Sequence, residues 1–157
     1  MYKLNCRKGI TLIELMIVVT LLAILAAIVI PTFSNANETA KSSAVASQLN
    51  TIKKSLNLYK NDHNGVYPTD AQMIDSQWQA LVNSTDIDGA ITGDDYGPYF
   101  QKPPFNAFMD SDVVAADNSA AWQYDSAAGE IHAVVPNEVF MRANELQLDS
   151  GDLLVAP

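Results

Sequence analysis

A chain of 157 residues has room for one ordinary domain and an appendage. Its formal charge of −9 argues against bulk attraction to nucleic-acid phosphates, and the clustered lysines, Lys41, Lys53, Lys54 and Lys60, fall along one helix as a solvated face. Cys6 is the sole cysteine, so no disulfide can close within the chain, and an exported domain would need another staple.

Residues 1–9, MYKLNCRKG, carry Lys3, Arg7 and Lys8 and no acid. Much of the 48% hydrophobic content follows at once, between Ile10 and Ile30, where Thr11, Glu14 and Thr20 are the only polar residues. As a helix this run spans about 31 Å, which matches a bilayer core of about 30 Å. The basic stub predicts a cytoplasmic N-terminus, with the polar bulk of the chain on the other side. Two targeting readings fit such a start. A secretory signal would be cut after Ser34-Asn35-Ala36, but its apolar region should be shorter than this one. In the second reading the cut precedes the apolar run, which stays in the mature protein.

Glu14 separates the two. An acid at mid-membrane costs about 2.5–3.5 kcal/mol on insertion scales. The favourable dipole at a helix start returns about 0.3–1 kcal/mol. A shallow position near the interface and an opposite charge are needed to make up the difference.

The stretch RKGITLIELMIVVTLLAILAAIVIP resembles the N-terminus of type IV prepilins and of the pseudopilins of type II secretion. A basic leader ends in glycine, a hydrophobic residue follows, glutamate stands fifth after the cut, and proline closes the run. The resemblance implies that a prepilin peptidase cuts between Gly9 and Ile10 and methylates the new amine of Ile10. Glu14 is then expected to pair with the Ile10 ammonium of a neighbouring subunit and to set the axial register of a filament. Glu14 and Pro31 are the assembly positions; Gly9 and Ile10 are processing positions in a substrate.

Pro31 removes a backbone donor and clashes with the carbonyl of Ala27, so a kink or local melting is expected there. Beyond it Phe33, Ala36, Ala40, Val45, Leu49, Ile52, Leu56 and Tyr59 form an amphipathic stripe, and Asn64-Gly65 with Pro68 ends the helix. Thr69 or Asp70 is placed to cap a second helix reaching Val82, with Ile74, Trp78 and Leu81 inward. STDIDGAITGDDYGPYF reads as a loop, and AAWQYDSAAGEIHAVVP as a hairpin with Trp122 and Tyr124 alternating against Gln123. Asn137–Leu146 has helical spacing. The expected fold is α+β and pilin-like: a long N-terminal helix, membrane-spanning and then amphipathic, packed on a small antiparallel sheet. The expected divisions are a leader at 1–9, the assembly half of the helix at 10–31, its amphipathic half at 32–61 and a head at 62–157.

NGVYPTD, YGPYFQKPPFN and WQYDSAAGEI are similar to the major pseudopilin branch. That resemblance implies a calcium ion holding the C-terminal loop. LDSGDLLVAP keeps Asp149, Ser150 and Asp152 but lacks a longer glycine- and aspartate-rich tract. Asp110, Asp112 and Asp117 are another oxygen source, and neither group has EF-hand spacing. No metal ligand is assigned, and calcium stands open against solvated acidic loops. His63 and His132 are far apart and read as surface or turn residues. Nothing resembles a nucleophile elbow or a phosphate-binding loop, so the chain is not read as an enzyme.

The resulting expectation is a structural subunit of a type II secretion pseudopilus, anchored in the bacterial inner membrane with a periplasmic head. Its partners are like subunits, minor pseudopilins, the prepilin peptidase and an inner-membrane assembly platform, with no nucleic acid. The alternatives are a type IV pilus subunit for adhesion, motility or DNA uptake, and a soluble binding protein secreted after cleavage behind Ala36.

Overall fold

The computed structural model describes residues 9–91 and 94–157, with the backbone alone at 30–35. The expected leader, with Cys6, otherwise lies outside the described residues, and so does the side chain of Phe33. One helix, α1, runs Leu12–Asp62, and the chain divides into two compact units between Glu38 and Thr39.

In the first unit the described side chains from Ile10 to Val29 are exposed, with large apolar residues between 45% and 81% accessible. The helical assignment runs through position 31; the expected kink falls where side chains lie outside the described set.

In the second unit α1 supplies one wall of the core. Val45, Leu49, Ile52, Leu56 and Tyr59, alternately four and three apart, are at most 3% exposed. Ala36 and Ala40, expected on the same stripe, are exposed instead, so burial begins at Ser42 and Val45. The helix stops where expected. Asn64 and Gly65 take φ of 55° and 81°, and the Gly65 amide donates to the Lys60 carbonyl at 2.8 Å.

The expected second helix is broken in two. A π-type turn covers Ala71–Asp75 and a short helix, α2, covers Gln79–Val82, because Gln77 and Trp78 between them adopt φ of 48° and 68°. Tertiary bonds hold that break. The Trp78 indole donates to the Asp112 carbonyl at 2.6 Å and packs edge-on against Trp122. The Gln77 amide takes the Val114 N–H and donates to the Val114 carbonyl, filling the role of a missing strand neighbour.

The sheet has the order β1-β2-β3-β4, with β1 at Val114–Ala115, β2 at Trp122–Asp125, β3 at Glu130–Val135 and β4 at Leu153–Val155. The β2–β3 hairpin is antiparallel as expected, with Trp122 opposite Ala133 and Asp125 opposite Glu130. Both outer pairs are parallel, so the sheet is mixed and not the purely antiparallel one expected. At the β4 edge the cause is the connection: the chain leaves β3, makes the short helix α3 (Asn137–Met141) and returns in the same direction, which a tight hairpin cannot do. The helical spacing to Leu146 is realised as α3 followed by turns that still bury Ala143 and Leu146.

His63 is a second correction. It is 3% exposed, lies one further step of four along the α1 stripe, and stacks on Tyr59 with ring centroids 3.7 Å apart. Its Nδ1 meets the Tyr59 carbonyl at 2.7 Å and its Nε2 meets Thr85 Oγ1 at 2.9 Å, which is how the ring's polarity is satisfied inside the core.

Candidate functional site

The sequence places function at the start of α1, and the local geometry there is specific. Gly9 and Ile10 are exposed and lie before the helix, and a Cβ at Gly9 would meet nothing within 4 Å. Among the described residues, therefore, no crowding demands a glycine at that position. Thr11 is the residue before the first helical position, and Glu14 stands three residues on. Glu14 Oε2 accepts from the Thr11 amide at 2.8 Å and from the Thr11 hydroxyl at 2.9 Å, while the Glu14 amide donates to Thr11 Oγ1 at 3.3 Å. This is a capping box, and it satisfies two amides that a helix start leaves without carbonyl partners. Its sequence signature, Thr-x-x-Glu ahead of an apolar run, stands in TLIE.

Beyond the cap, Leu12–Val29 has a mean hydropathy of 2.9 with none of it buried, a helix long and apolar enough to cross a membrane. Besides Glu14 the polar residue within it is Thr20, accommodated locally: its hydroxyl donates to the Ile17 carbonyl at 2.8 Å. Glu14 thus stands four residues after Ile10, at the N-terminal end of the apolar stretch. Pro31 stands beyond its other end, outside the described side chains.

The acids considered for calcium do not assemble. Asp149 accepts from the Gly151 amide at 2.9 Å and starts a single 3-10 turn, Ser150–Asp152. Asp152 is paired with Lys53 of α1. Asp117 accepts from the Ser119 amide, and hydrogen bonding to Ser119 holds its carboxyl below the usual range. Among the described residues no group of three or more His, Cys, Asp or Glu is placed to hold a metal ion. A calcium ion needs six to eight oxygens, and these residues do not fit one.

An unburied apolar helix capped by a Thr–Glu pair, leading into an α+β head whose core is built on the same helix, defines a pilin-like protein. Residues 4–30 match the family described as the prokaryotic N-terminal methylation motif. The chain is 33% identical over 98 residues to the type II secretion system core protein G of Klebsiella pneumoniae, an alignment covering 62% of this chain and 66% of that one. It is 38% identical over 77 residues to the protein of the same name from Aeromonas hydrophila, covering 49% and 50%. To the type IV wide pilus major component PilA4 of Thermus thermophilus it is 40% identical over 67 residues, covering 43% and 51%. The chain thus spans between half and two thirds of the length of these relatives. No solved structure matches. The chain thus carries the prepilin-type methylation motif at its N-terminus and is similar to type II secretion core proteins G and to a type IV pilus major component.

Proposed function

We propose that this chain is a structural, non-catalytic subunit of a type II secretion pseudopilus. In this reading a prepilin peptidase removes residues 1–9 between Gly9 and Ile10 and methylates the Ile10 amine. Residues 10–31 anchor the chain in the inner membrane and later pack in the filament, residues 32–61 carry the head, and residues 62–157 complete it in the periplasm. Like subunits, minor pseudopilins and an inner-membrane assembly platform are the partners, and growth of the filament drives protein secretion.

The observation that carries the reading is the capped, wholly exposed apolar stem with its one acid at the entrance. Apolar surface of that extent needs lipid or other stems around it. Cleavage would place an ammonium on Ile10, with a reference pKa near 8. Both Thr11 bonds end on Glu14 Oε2, so Oε1 is the oxygen that an incoming ammonium from a neighbour would meet. Such a pair offsets the cost of holding a carboxylate near hydrocarbon.

Intact mass of the membrane-extracted protein tests the processing step. The expected result is loss of residues 1–9 and gain of one methyl group. A mature chain beginning at Met1, or at Asn37 as a secreted binding protein would, overturns it. The similarity to a pilus major component supports a second reading as a type IV pilus subunit. Long surface fibres containing the chain would favour that reading, and short periplasmic ones the first.

A further inference from the structure

The C-terminal segment has to be fastened to the head without a disulfide, because the one cysteine is Cys6. Its carboxylates are already committed: Asp149 turns back onto the Gly151 amide, and Asp152 Oδ1 takes the ammonium of Lys53, ninety-nine residues earlier in the chain. Lys53 follows Ile52 on α1, whose 0% exposure fixes the backbone from which the ammonium is offered. The pair sits on a cleft of about 310 Å³ that is also lined by Asn57, Glu130, His132 and Gly151. Two acids and one lysine therefore share one polar notch beside β3, and the three turn residues held there lead directly into β4.

We propose that the Lys53 ammonium serves here as the resident cation of the C-terminal loop, pinning Ser150–Asp152 to α1 and making the head independent of a divalent metal. The chemistry favours the ammonium. It brings three donors and needs few acceptors, whereas calcium in this notch would lack most of its oxygens and would face a cation fixed on the helix. Position adds to this. Asp152 is the last residue before β4, so the pair fixes the entry of the strand whose Leu153 lies opposite Ala133 in the core. Side chains about one third exposed, 38% for Lys53 and 33% for Asp152, leave the interaction partly screened, so its effect should be local to the loop and modest on the whole head.

The test uses the full chain in detergent micelles, as wild type, Lys53→Met, Asp152→Asn and the double variant. Thermal midpoints are measured with excess chelator and with millimolar calcium chloride, and amide exchange is followed at Leu153–Val155. The wild-type midpoint should be the same in chelator and in calcium. Each single variant should fall by about 2–4 °C, with faster exchange in β4, and the double variant should fall no further than the worse single. A wild-type midpoint that drops in chelator or rises in calcium overturns the proposal, because an ion bound to the native state must stabilise it. Additive losses in the double variant, or unchanged exchange at Leu153–Val155 in Lys53→Met, would equally overturn it.

Discussion

In the proposed filament the Glu14 carboxylate would serve two partners, one at each oxygen. Within the chain it caps α1 through Thr11, and in a filament it would meet a neighbour's Ile10 ammonium. Substitution separates the roles. Thr11→Val removes the hydroxyl half of the cap, a loss of about 1 kcal/mol at a helix start, and should leave filament incorporation close to normal. Glu14→Leu removes both partners and should leave the chain in the membrane but out of filaments. The measurement is the ratio of subunit in sheared filaments to subunit in membranes. Equal defects in the two variants would reduce Glu14 to a cap. Away from the stem, the Tyr99 phenol is pushed up first by burial and then by its hydrogen bond to Asp62, at 2.9 Å. An unfolded tyrosine ionises near pH 10, and the folded head holds this proton more tightly. The stability so gained is complete below that pH and declines as the pH rises above it. Tyr99→Phe should therefore be less stable than wild type at neutral pH and lose less between about pH 10 and pH 11.5, read as urea midpoints. Tyr124, also raised by burial, keeps some alkaline loss in the variant.

The head's elements are joined by single polar side chains, and these are where element-scale predictions fall. Asn106 is fully buried. Its amide donates at 2.8 Å to both the Ala121 and the Val134 carbonyls, and its Oδ1 accepts from the Phe108 amide at 3.0 Å, tying the segment after Pro103-Pro104 to the residue before β2 and to β3. Asn106→Ala removes all of these bonds at a fully buried position, so a loss of about 3 kcal/mol is expected by chemical denaturation. At the hairpin tip Gly129 has φ of 70° and lies against the Tyr67 ring, over which the Lys60 ammonium stands 4.4 Å from the centroid. A Cβ at that glycine would overlap the ring, so Gly129→Ala should cost about 1–3 kcal/mol. Loss of the Lys60–Tyr67 contact should show in the near-ultraviolet spectrum. The hairpin itself was readable because its signals are local: alternating Trp122 and Tyr124, then a glycine turn. The α1 stripe was readable for the same reason, and carrying its alternation one step further would have placed His63 inside. The short helix α2 was not readable. Its break at Gln77 and Trp78 is set by bonds to Asp112 and Val114, more than thirty residues away, and local periodicity holds no trace of them. The parallel edges were hidden likewise, because strands of two and three residues carry too little pattern to announce a direction. The capping box was legible in TLIE, because its Thr-x-x-Glu spacing is local.

Charge is distributed very unevenly over the whole molecule. Residues 1–9 hold three of the nine basic residues and none of the eighteen acids, so removal of the leader takes the formal charge from −9 to −12. Within 62–157 there are sixteen acids against Lys102 and Arg142 alone. Heads brought together in a filament would repel one another, while the apolar stems attract. The repulsion acts through water and is screened by salt; a Glu14–ammonium pair among stems lies where screening is weak. The two terms therefore have different salt dependences. Raising ionic strength from about 10 mM to about 150 mM shortens the screening length from about 30 Å to about 8 Å, which weakens repulsion between heads and leaves contacts between stems nearly untouched. Detergent-solubilised, leader-free subunits should accordingly associate more strongly as monovalent salt rises. Sedimentation velocity at fixed detergent concentration reads the shift directly. A variant with Asp94 and Asp95 replaced by Asn should need less salt for the same degree of association. If association instead weakens as salt rises, attraction between charged head surfaces is what holds subunits together, and the stems are not the dominant interface.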